Sequence, residues 1–279
     1  MIERSFNTLV HRSSAWSFGR RVLDAALAPL YWFYARRLWA LILRGPRPHH
    51  IALIIDGNRR FAEKEGVDVE TGYLAGADRV SDVLRWSERA GIEAATLWAL
   101  SVDNLQRPVD ELKALTRVIE ATIDRLQLVA LSRGWRLRGI GRRDALPASL
   151  LTTLERAELV TADADRLLVQ FAVGYGGREE ILDALRRWAE QPSVRERPTG
   201  ETLAQLSAHE LRQYLYAPDL ADPDLILRTS GELRLSGFLL WQSVYAEFYF
   251  TDVLWPEFRE IDFLRALRDY QKRVRRFGR

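Results

Sequence analysis

Short apolar runs alternate with helix-like segments along most of the chain, and this alternation limits the possible folds more than any other feature. The predicted strands are residues 50–56, 93–100, 135–141, 167–173 and 224–228. Helical periodicity fills the segments between them, among which are residues 72–90, 108–131 and 147–160. Strands that alternate with helices favour a parallel sheet covered on both faces. The sequence therefore predicts an α/β fold with a central, mainly parallel sheet of about six strands, flanked by helices.

Four more helices and one loop complete this prediction. The helices are expected from residue 177 to 188 and over residues 203–215, 236–245 and 258–273, and the loop over residues 191–200. Gly45-Pro46-Arg47-Pro48 is a helix-stopping linker near the N-terminus. We therefore expect an N-terminal amphipathic helical extension, residues 1–47, followed by an α/β domain, residues 48–279.

The extension contains the most membrane-like stretch of the sequence, residues 22–43. Asp24, Arg36 and Arg37 interrupt this stretch, which leaves less than the ~20 apolar residues that a spanning helix needs. No signal-peptide cleavage pattern follows it, so a cytoplasmic location is expected. Two interpretations of this helix remain open: it packs on the α/β domain, or it makes peripheral contact with a membrane.

Composition removes several classes of site. The chain has no cysteine, which excludes disulfides, thiolate metal sites and a cysteine nucleophile. All but three of its 41 basic residues are arginines, which suit binding of phosphates and carboxylates. A net charge of +3 is compatible with nucleic acid, a membrane or a phosphorylated small molecule. Neither a nucleic-acid-binding motif nor a nucleotide-binding glycine loop accompanies this charge, so we expect no nucleic-acid partner.

Three predicted strands end in polar segments, namely residues 56–60, 101–107 and 228–236. Ligands of parallel α/β sheets bind beyond the carboxyl ends of the strands. The convergence of these segments is therefore the first indication of a functional site.

The first segment has two interpretations. Asp56 precedes Gly57-Asn58, and Asp commonly forms turns or caps a helix without any further role. Alternatively, residues 57–60 present backbone N–H groups at a helix start, where anions bind. A carboxylate beside a bound phosphate suits a hard cation such as Mg²⁺.

A second group of anion-binding candidates consists of Arg228, Arg234 and Ser236. Ser236 is a plausible N-cap of the helix expected over residues 236–245. The alternative for either arginine is an ordinary surface ion pair. Glu247 lies in the aromatic run YAEFYF, where a carboxylate is costly unless it is paired or bound to a metal. Two anion sites beside apolar helices suit a substrate with a diphosphate head and an apolar tail.

From residue 50 to residue 278 the chain resembles the cis-prenyltransferases, the isoprenyl transferases related to undecaprenyl diphosphate synthase. Four segments carry the resemblance: HIALIIDGNRRFA, LSVDNLQRP, VGYGGREEI and DLILRTSGELRLSGFLLWQSVYAEFYFTDVLWPEF. The N-terminal LYWFYARRL and the LQR of the second segment look most like the actinobacterial short-chain branch, which includes Z-farnesyl diphosphate synthases.

The resemblance implies a role for each matching residue. Asp56 matches the aspartate that binds Mg²⁺ with the allylic diphosphate, and Asn104 matches the asparagine that positions or relays the proton lost on condensation. Glu247 matches a second metal-site carboxylate. The remaining implied substrate-binding residues are Gly57, Asn58, Arg59, Arg60, Phe61, Tyr73, Ser101, Val102, Asp103, Leu105, Arg107, Arg228, Arg234, Leu235, Ser236, Arg276 and Gly278.

Several positions depart from the family's commonest pattern. Arg59 stands in place of a glycine, and Val69 and Tyr73 stand where many members have Arg and His. Phe61, Asp103 and Leu105 replace a tryptophan, a glutamate and a tryptophan. The usual arginine that clamps the allylic diphosphate is thus absent, and Arg59 is a candidate to compensate for it.

The resemblance implies an Mg²⁺-dependent transferase that joins isopentenyl diphosphate to geranyl or farnesyl diphosphate and creates a cis double bond. We expect a homodimer formed through residues 245–255 and the C-terminal R-x-G element, and an apolar tunnel between the helices of residues 72–90 and 108–131. Short to medium products are favoured, with a long-chain polyprenyl product as the alternative. The rival class is a non-catalytic subunit of a heteromeric prenyltransferase, although such subunits lose the Asp and Arg groups that are kept here.

Overall fold

A computed structural model describes residues 29–196 and 199–273 of the chain. Its centre is a six-stranded sheet with the strand order β3-β4-β2-β1-β5-β6. Every neighbouring pair in this sheet is parallel, which confirms the predicted fold class. The strands are β1 (His50–Ile54), β2 (Ala94–Ser101), β3 (Trp135–Ile140), β4 (Leu167–Tyr175), β5 (Leu225–Arg228) and β6 (Glu247–Phe250).

Helices connect the strands and cover both faces of the sheet. They are α1 (residues 29–42), α2 (Asn58–Glu65), α3 (Val69–Ala90), α4 (Val109–Arg133), α5 (Ala148–Val160), α6 (Gly177–Ala189), α7 (Pro192–Arg195), α8 (Thr199–Gln205), α9 (Ala208–Arg212) and α10 (Glu260–Lys272). Short 3₁₀ turns at Asp103–Gln106, Arg143–Ala145 and Trp255–Glu257 join some of them.

The helix expected over residues 236–245 is not formed. A succession of turns occupies this segment, with positive φ angles at Ser236 (50°), Gly237 (93°) and Leu239 (44°). A right-handed helix requires negative φ at every residue, so the prediction for this segment, and the helix N-cap assigned to Ser236, are wrong.

Smaller differences lie elsewhere. The expected helix 203–215 is divided into α8 and α9 at Ser207, whose side chain accepts a hydrogen bond from the Glu210 backbone N–H. The expected loop 191–200 contains the short helix α7 and the start of α8. The aromatic run at residues 247–250, to which no element had been assigned, forms the edge strand β6.

The helices on the two faces of the sheet enclose separate cores. The larger core lies between the sheet and helices α1, α3, α4, α5 and α10. The second lies on the opposite face, where Phe238 and Leu239 of the turn segment pack with Ala172 and Tyr175 of β4. The turn segment therefore takes the position of a covering helix on that face.

Helix α1 packs on the domain through one face. Leu38, Trp39 and Ile42 are at most 3% exposed and belong to the larger core. The indole N–H of Trp39 donates to Glu260 Oε1 over 2.7 Å, and the Arg89 guanidinium lies 4.1 Å from the centre of the Trp39 ring. Within the described residues, no helix is both long and apolar enough to cross a bilayer.

We predict that Trp39→Ala lowers the free energy of unfolding by about 3–5 kcal/mol, the usual cost of removing a buried tryptophan side chain. Urea denaturation measures this change. Trp32→Ala is the matched control, because Trp32 lies on the same helix but is 62% exposed, and we expect it to change stability by about 0.5 kcal/mol or less. A loss below 1 kcal/mol for Trp39→Ala would show that α1 contributes little to the core.

Candidate active site

The three polar segments predicted at strand ends lie together at one edge of the sheet. β1 pairs with β2 on one side and with β5 on the other. Asp56 follows β1 by two residues, Ser101 is the last residue of β2, and Arg228 is the last residue of β5. Because all three strands run in the same direction, their carboxyl ends form a single mouth above β1.

An ion pair links the ends of β1 and β5. The guanidinium of Arg228, a residue only 4% exposed, donates from Nη2 to Asp56 Oδ2 over 2.8 Å. Its Nη1 donates to Ser236 Oγ over 3.0 Å and also to the Arg234 carbonyl. Arg228 thus ties the Asp56 carboxylate to the turn segment that follows β5.

Thr229 fixes the backbone beneath the ion pair, although the sequence analysis assigned it no role. Its hydroxyl donates to the Asp56 carbonyl over 2.7 Å and accepts from the Asp56 backbone N–H over 3.1 Å. A threonine directly after a strand-ending arginine was the only available signal. This contact holds Asp56 at a fixed height above the sheet.

The charge state of Asp56 follows from its surroundings. Burial alone would raise its pKa, but the hydrogen bond and positive charge of Arg228, assisted by Ser230 and Arg60, outweigh burial and hold the pKa of Asp56 below its ordinary range. Asp56 is therefore ionised at neutral pH. Its side chain remains 37% exposed, so the carboxylate is accessible to a ligand in the mouth.

Helix α2 starts directly beside this carboxylate. Gly57 caps it with φ of 109°, a left-handed conformation that favours glycine, and a Cβ at this position would lie 3.0 Å from Leu254. The first turn then carries Asn58, Arg59 and Arg60. Free backbone N–H groups and two arginines at this helix start form an anion-binding surface.

Asn104 is held in place by Ser101. The Ser101 backbone N–H donates to Asn104 Oδ1 over 3.1 Å, and the Asn104 backbone N–H donates to Ser101 Oγ over 3.0 Å. The amide oxygen of Asn104 therefore already accepts a hydrogen bond within the protein. Its amide nitrogen is the group that Asn104 can offer to a ligand, because the residue lines the cavity described below.

The sequence analysis missed Glu111, which organises the other side of the mouth. Its carboxylate accepts from the Tyr73 hydroxyl over 3.0 Å and forms ion pairs with Arg107 (3.2 Å) and Arg59 (3.7 Å). Arg107 also donates to the Tyr73 oxygen over 2.8 Å. The i,i+4 spacing of Arg107 and Glu111 at a helix start was the available signal.

Tyr73 is a neutral hydroxyl at this position. Burial, reinforced by the neighbouring Glu111 and opposed by Arg107, raises the pKa of Tyr73 to about 12. Tyr73 therefore keeps its proton at physiological pH and serves as a hydrogen-bond donor rather than as a base.

A cavity of about 350 Å³ extends from this mouth into the protein. The polar residues Asp56, Arg228, Ser236 and Asn104 line its outer part. Its inner wall is formed by α3, α4 and the sheet through Gly76, Ala77, Val80, Leu97, Ala99, Leu115, Val118, Ile119, Thr122 and Phe171. An apolar tunnel was predicted between the same two helices.

Glycine allows α3 to approach the mouth closely. A Cβ at Gly72 would lie 2.6 Å from the Asn58 carbonyl oxygen, so any larger residue would push α3 away from α2. Leu84 and Leu100 are fully buried in the core and do not line the cavity. Trp86 packs against Phe263 at a ring distance of 5.9 Å.

The structure brings most of the predicted residues to this cavity. Those lining it are Asp56, Gly57, Asn58, Arg59, Arg60, Tyr73, Ser101, Asp103, Asn104, Arg107, Arg228 and Ser236. Those that lie nearby without lining it are Phe61, Val102, Leu105, Arg234 and Leu235. Arg276 and Gly278 lie outside the described residues.

Glu247 is not near Asp56 within one chain. It is the first residue of β6 and pairs in register with Leu225 at the start of β5, whereas Asp56 lies beyond the far ends of the strands. At about 3.3 Å per residue, the two carboxylates are roughly 15 Å apart along the strand direction. Glu247 forms an ion pair with Arg273 over 2.8 Å.

No group of three or more acidic or histidine side chains suited to a metal ion occurs in the part of the chain that is described. Asp56 therefore offers a single carboxylate. Mg²⁺ often binds through one or two carboxylates together with substrate phosphates and water, so an ionised Asp56 fits such an ion only when a phosphate ligand is present.

The VGYGGREEI segment, residues 173–181, stabilises the turn segment that carries Ser236. The Gly177 backbone N–H donates to the Gly237 carbonyl over 2.8 Å, and a Cβ at Gly177 would lie 2.6 Å from that carbonyl oxygen. The buried Glu180 accepts from Tyr175 Oη and from Gln242 Nε2 over 3.1 Å. These contacts hold the turn segment that carries Ser236.

The fold and the site define a class of protein: a parallel α/β protein with a basic, polar site above β1 that opens into an apolar cavity between α3 and α4. A sequence profile of the family described as putative undecaprenyl diphosphate synthase matches residues 54–278. The chain belongs to this family, the cis-prenyltransferases.

Individual relatives agree with this assignment. The chain is 45% identical over 262 residues to an isoprenyl transferase of Thermus thermophilus, covering 93% of this chain and 99% of that one. It is 45% identical over 251 residues to a (2Z,6E)-farnesyl diphosphate synthase of Thermobifida fusca, covering 90% and 97%. The crystal structure of lavandulyl diphosphate synthase from Lavandula x intermedia in complex with dimethylallyl diphosphate matches with a TM-score of 0.78 and 33% identity, covering 84% and 99%.

We predict that Arg228→Met raises the pKa of Asp56 above its wild-type value, because burial persists while the hydrogen bond and charge that lower the pKa are lost. The wild-type pair stabilises the fold above the ordinary carboxyl pKa, and this stabilisation is lost as the pH falls through the lowered pKa. NMR titration of the Asp56 side-chain carbon measures the shift.

Arg234→Met is the control for this titration, since the exposed Arg234 side chain contacts Glu232 and not Asp56. It should leave the pKa of Asp56 close to the wild-type value. An unchanged pKa in Arg228→Met would contradict the assignment of Arg228 as the group that keeps Asp56 ionised.

Proposed function

We propose that this chain joins isopentenyl diphosphate to an allylic diphosphate, either geranyl or farnesyl diphosphate, and produces a Z-isoprenyl diphosphate. The observation that carries this proposal is the continuity of the site: one cavity connects the Asp56–Arg228 mouth to an apolar interior between α3 and α4. A diphosphate head bound at the mouth places its hydrocarbon tail in that interior.

The residues of the mouth divide into two diphosphate sites. We assign the allylic diphosphate to the start of α2, where Arg59 and Arg60 flank the free backbone N–H groups. Arg107 adds a guanidinium from the opposite side. This arrangement supports the expectation that Arg59 compensates for the arginine replaced by Val69.

We assign isopentenyl diphosphate to Arg228, Arg234 and Ser236. Arg228 and Ser236 are in direct contact at 3.0 Å, and the exposed Arg234 side chain can reach a phosphate from the rim. The helix N-terminus expected to assist them is absent, so the guanidiniums and the hydroxyl supply the binding groups.

In the proposed reaction, the C–O bond of the allylic diphosphate breaks and its electron pair leaves with the diphosphate. The double bond of isopentenyl diphosphate supplies the electrons of the new carbon–carbon bond, and the isopentenyl unit then loses a proton. We assign Asn104 to position this unit through its amide nitrogen, with the released diphosphate as the proton acceptor. The arginines stabilise the charge that develops on the leaving group.

Asp56 is the residue that would hold Mg²⁺ together with the allylic diphosphate. The ion, when bound, acts as a Lewis acid that neutralises charge on the departing diphosphate. Asp56 fits this role because it is ionised and one of its oxygens is left free by Arg228, which contacts only Oδ2. A contribution from Glu247 requires a second chain, since the two carboxylates are far apart within one chain.

Incubation of the full chain with labelled isopentenyl diphosphate and either geranyl or farnesyl diphosphate tests the proposed reaction. We expect Mg²⁺-dependent transfer of label into a product that is extracted by organic solvent. Absence of transfer from both allylic substrates would refute the proposal and would instead favour the non-catalytic subunit.

We propose a short to medium product. Ligand cavities span roughly 300–1,000 Å³, so a cavity of about 350 Å³ accommodates a small ligand. The likeness to a relative named (2Z,6E)-farnesyl diphosphate synthase also supports a short chain. The long-chain alternative would require the cavity to lengthen considerably.

We predict that Asp56→Ala reduces turnover about 10³-fold or more, because loss of the carboxylate removes several kcal/mol of charge stabilisation at the leaving group. Steady-state turnover at saturating Mg²⁺ measures the effect, and thermal unfolding checks the fold. Asp144→Ala is the control, since Asp144 is exposed and pairs with Arg142 away from the mouth. Near-normal turnover of Asp56→Ala would contradict the metal assignment.

We predict that Ala99→Leu shortens the product by one or more isoprene units. Ala99 lines the cavity, so a larger side chain reduces the space for the growing chain. Chromatography of the dephosphorylated products measures their length. Leu100→Met is the control, because Leu100 is fully buried outside the cavity. An unchanged product distribution in Ala99→Leu would place the length determinant in the helices.

We also propose that the active form is a homodimer. The edge strand β6 is available for such an interface, and Phe248 and Phe250 are stacked along it at a ring distance of 6.1 Å. Val244 and Leu233 nearby are 69% and 76% exposed. Sedimentation at assay concentrations should give a dimer, and a fully active monomer would contradict this prediction.

A further inference from the structure

Helix α1 has two apolar faces, and only one of them is covered by the domain. Leu38, Trp39 and Ile42 form the buried face. The outer side carries large apolar side chains that are half exposed or more: Leu30 (66%), Phe33 (60%) and Leu41 (50%). Trp32, which is 62% exposed, lies two turns before Trp39 on the flank of the buried face. Several large apolar side chains exposed on one side of a short helix mark an interaction site rather than ordinary surface.

The charge around this patch has a single sign. Residues 29–48 contain four arginines, Arg36, Arg37, Arg44 and Arg47, and no acidic residue. Over residues 1–48 the sequence has eight arginines and two acidic residues, whereas residues 49–279 have 33 basic and 36 acidic residues. The basic character of the protein therefore comes entirely from its N-terminal sixth.

The arginines of α1 also differ from those of α3 and α4. Along α3 and α4 the exposed arginines are paired, for example Arg117 with Glu70 and Arg133 with Glu88. In the described ranges no ion pair involves Arg36 or Arg37. Arg36 instead lies over the Trp32 ring at 5.3 Å. Both residues are exposed.

We propose that the outer face of α1 docks on a lipid bilayer that contains anionic lipids. Phe33, Leu30 and Leu41 would enter the interface between headgroups and acyl chains, with Trp32 at the edge of the contact, while Arg36 and Arg37 contact lipid phosphates. A second copy of this chain is a poorer occupant, because a two-fold contact through this face would bring like charges together. This inference is independent of the proposed reaction.

The position of α1 makes such docking compatible with the site. Its buried face shares the larger core with α3 and α4, so α1 lies on the same side of the sheet as the cavity. Docking through the opposite face leaves the core contacts of Trp39 unchanged. The helices that enclose the apolar interior are then held next to the bilayer.

Vesicle co-sedimentation of the full chain tests the proposal. We expect binding to vesicles of phosphatidylcholine and phosphatidylglycerol at low salt, with much weaker binding to phosphatidylcholine alone. Raising the ionic strength from about 0.05 M to 0.5 M should weaken binding, since the Debye length falls well below 10 Å.

Two double variants separate the apolar and charged contributions. Arg36→Gln with Arg37→Gln should weaken binding roughly 30-fold, because each arginine near an anionic surface contributes about fivefold. Trp32→Ser with Phe33→Ser should weaken it by roughly tenfold or more, since binding scales with inserted apolar area. Both variants should retain the wild-type rate of prenyl transfer in solution, because neither touches the cavity.

Matched controls come from other surfaces. Leu159→Ser removes an apolar side chain that is 78% exposed on α5, and Arg136→Gln removes an exposed arginine on β3. Both should bind vesicles as the wild type does. Equal losses in the controls and the α1 variants would overturn the assignment of α1 as the docking face.

Other outcomes would also overturn the proposal. Equal affinity for neutral and anionic vesicles would contradict the charge argument. No vesicle binding, together with a smaller sedimentation coefficient of Trp32→Ser with Phe33→Ser, would identify a second copy as the occupant. No binding and no change in sedimentation would indicate that the chain itself covers this face.

Discussion

The ion pair between Asp56 and Arg228 is the interaction on which the site depends. A guanidinium as buried as that of Arg228 is costly unless it is paired and hydrogen-bonded, and Asp56, Ser236 and the Arg234 carbonyl meet this requirement. The pair joins segments that are 172 residues apart. Only parallel pairing of β1 with β5 brings them to the same edge of the sheet. The geometry of the site therefore depends on the topology of the sheet.

The two faces of the sheet are covered in different ways. On one face, α3, α4 and the sheet enclose an apolar space, and Gly72 permits close contact between α3 and α2. On the other face, the turn segment 236–245 packs on Trp98, whose ring stacks on Phe238 at 5.0 Å. Gly177 and Glu180 secure this segment. The VGYGGREEI motif thus acts through Ser236, without lining the cavity itself.

Sequence periodicity predicted the strands and helices whose burial is regular, and strand-end polarity predicted the mouth. Periodicity predicted the wrong structure for residues 236–245, because the apolar spacing of FLLWQ is typical of a helix. The positive φ angles of this segment depend instead on tertiary contacts with Gly177 and Trp98. Glu111 was missed for a similar reason. Its role depends on Tyr73 and Arg59, which lie on other helices, and only the i,i+4 spacing with Arg107 was visible.

Cavity length and fold stability are coupled in this architecture. The cavity wall ends at Val80 on α3 and Thr122 on α4, and one turn farther along both helices the side chains of Leu84 and Leu126 are fully buried. A longer product needs the space that these core side chains fill. Removing a buried leucine costs about 2–5 kcal/mol, a large share of the stability of a typical domain. A larger side chain at Ala99 would disturb only the cavity lining, so this cavity is structurally easier to shorten than to lengthen.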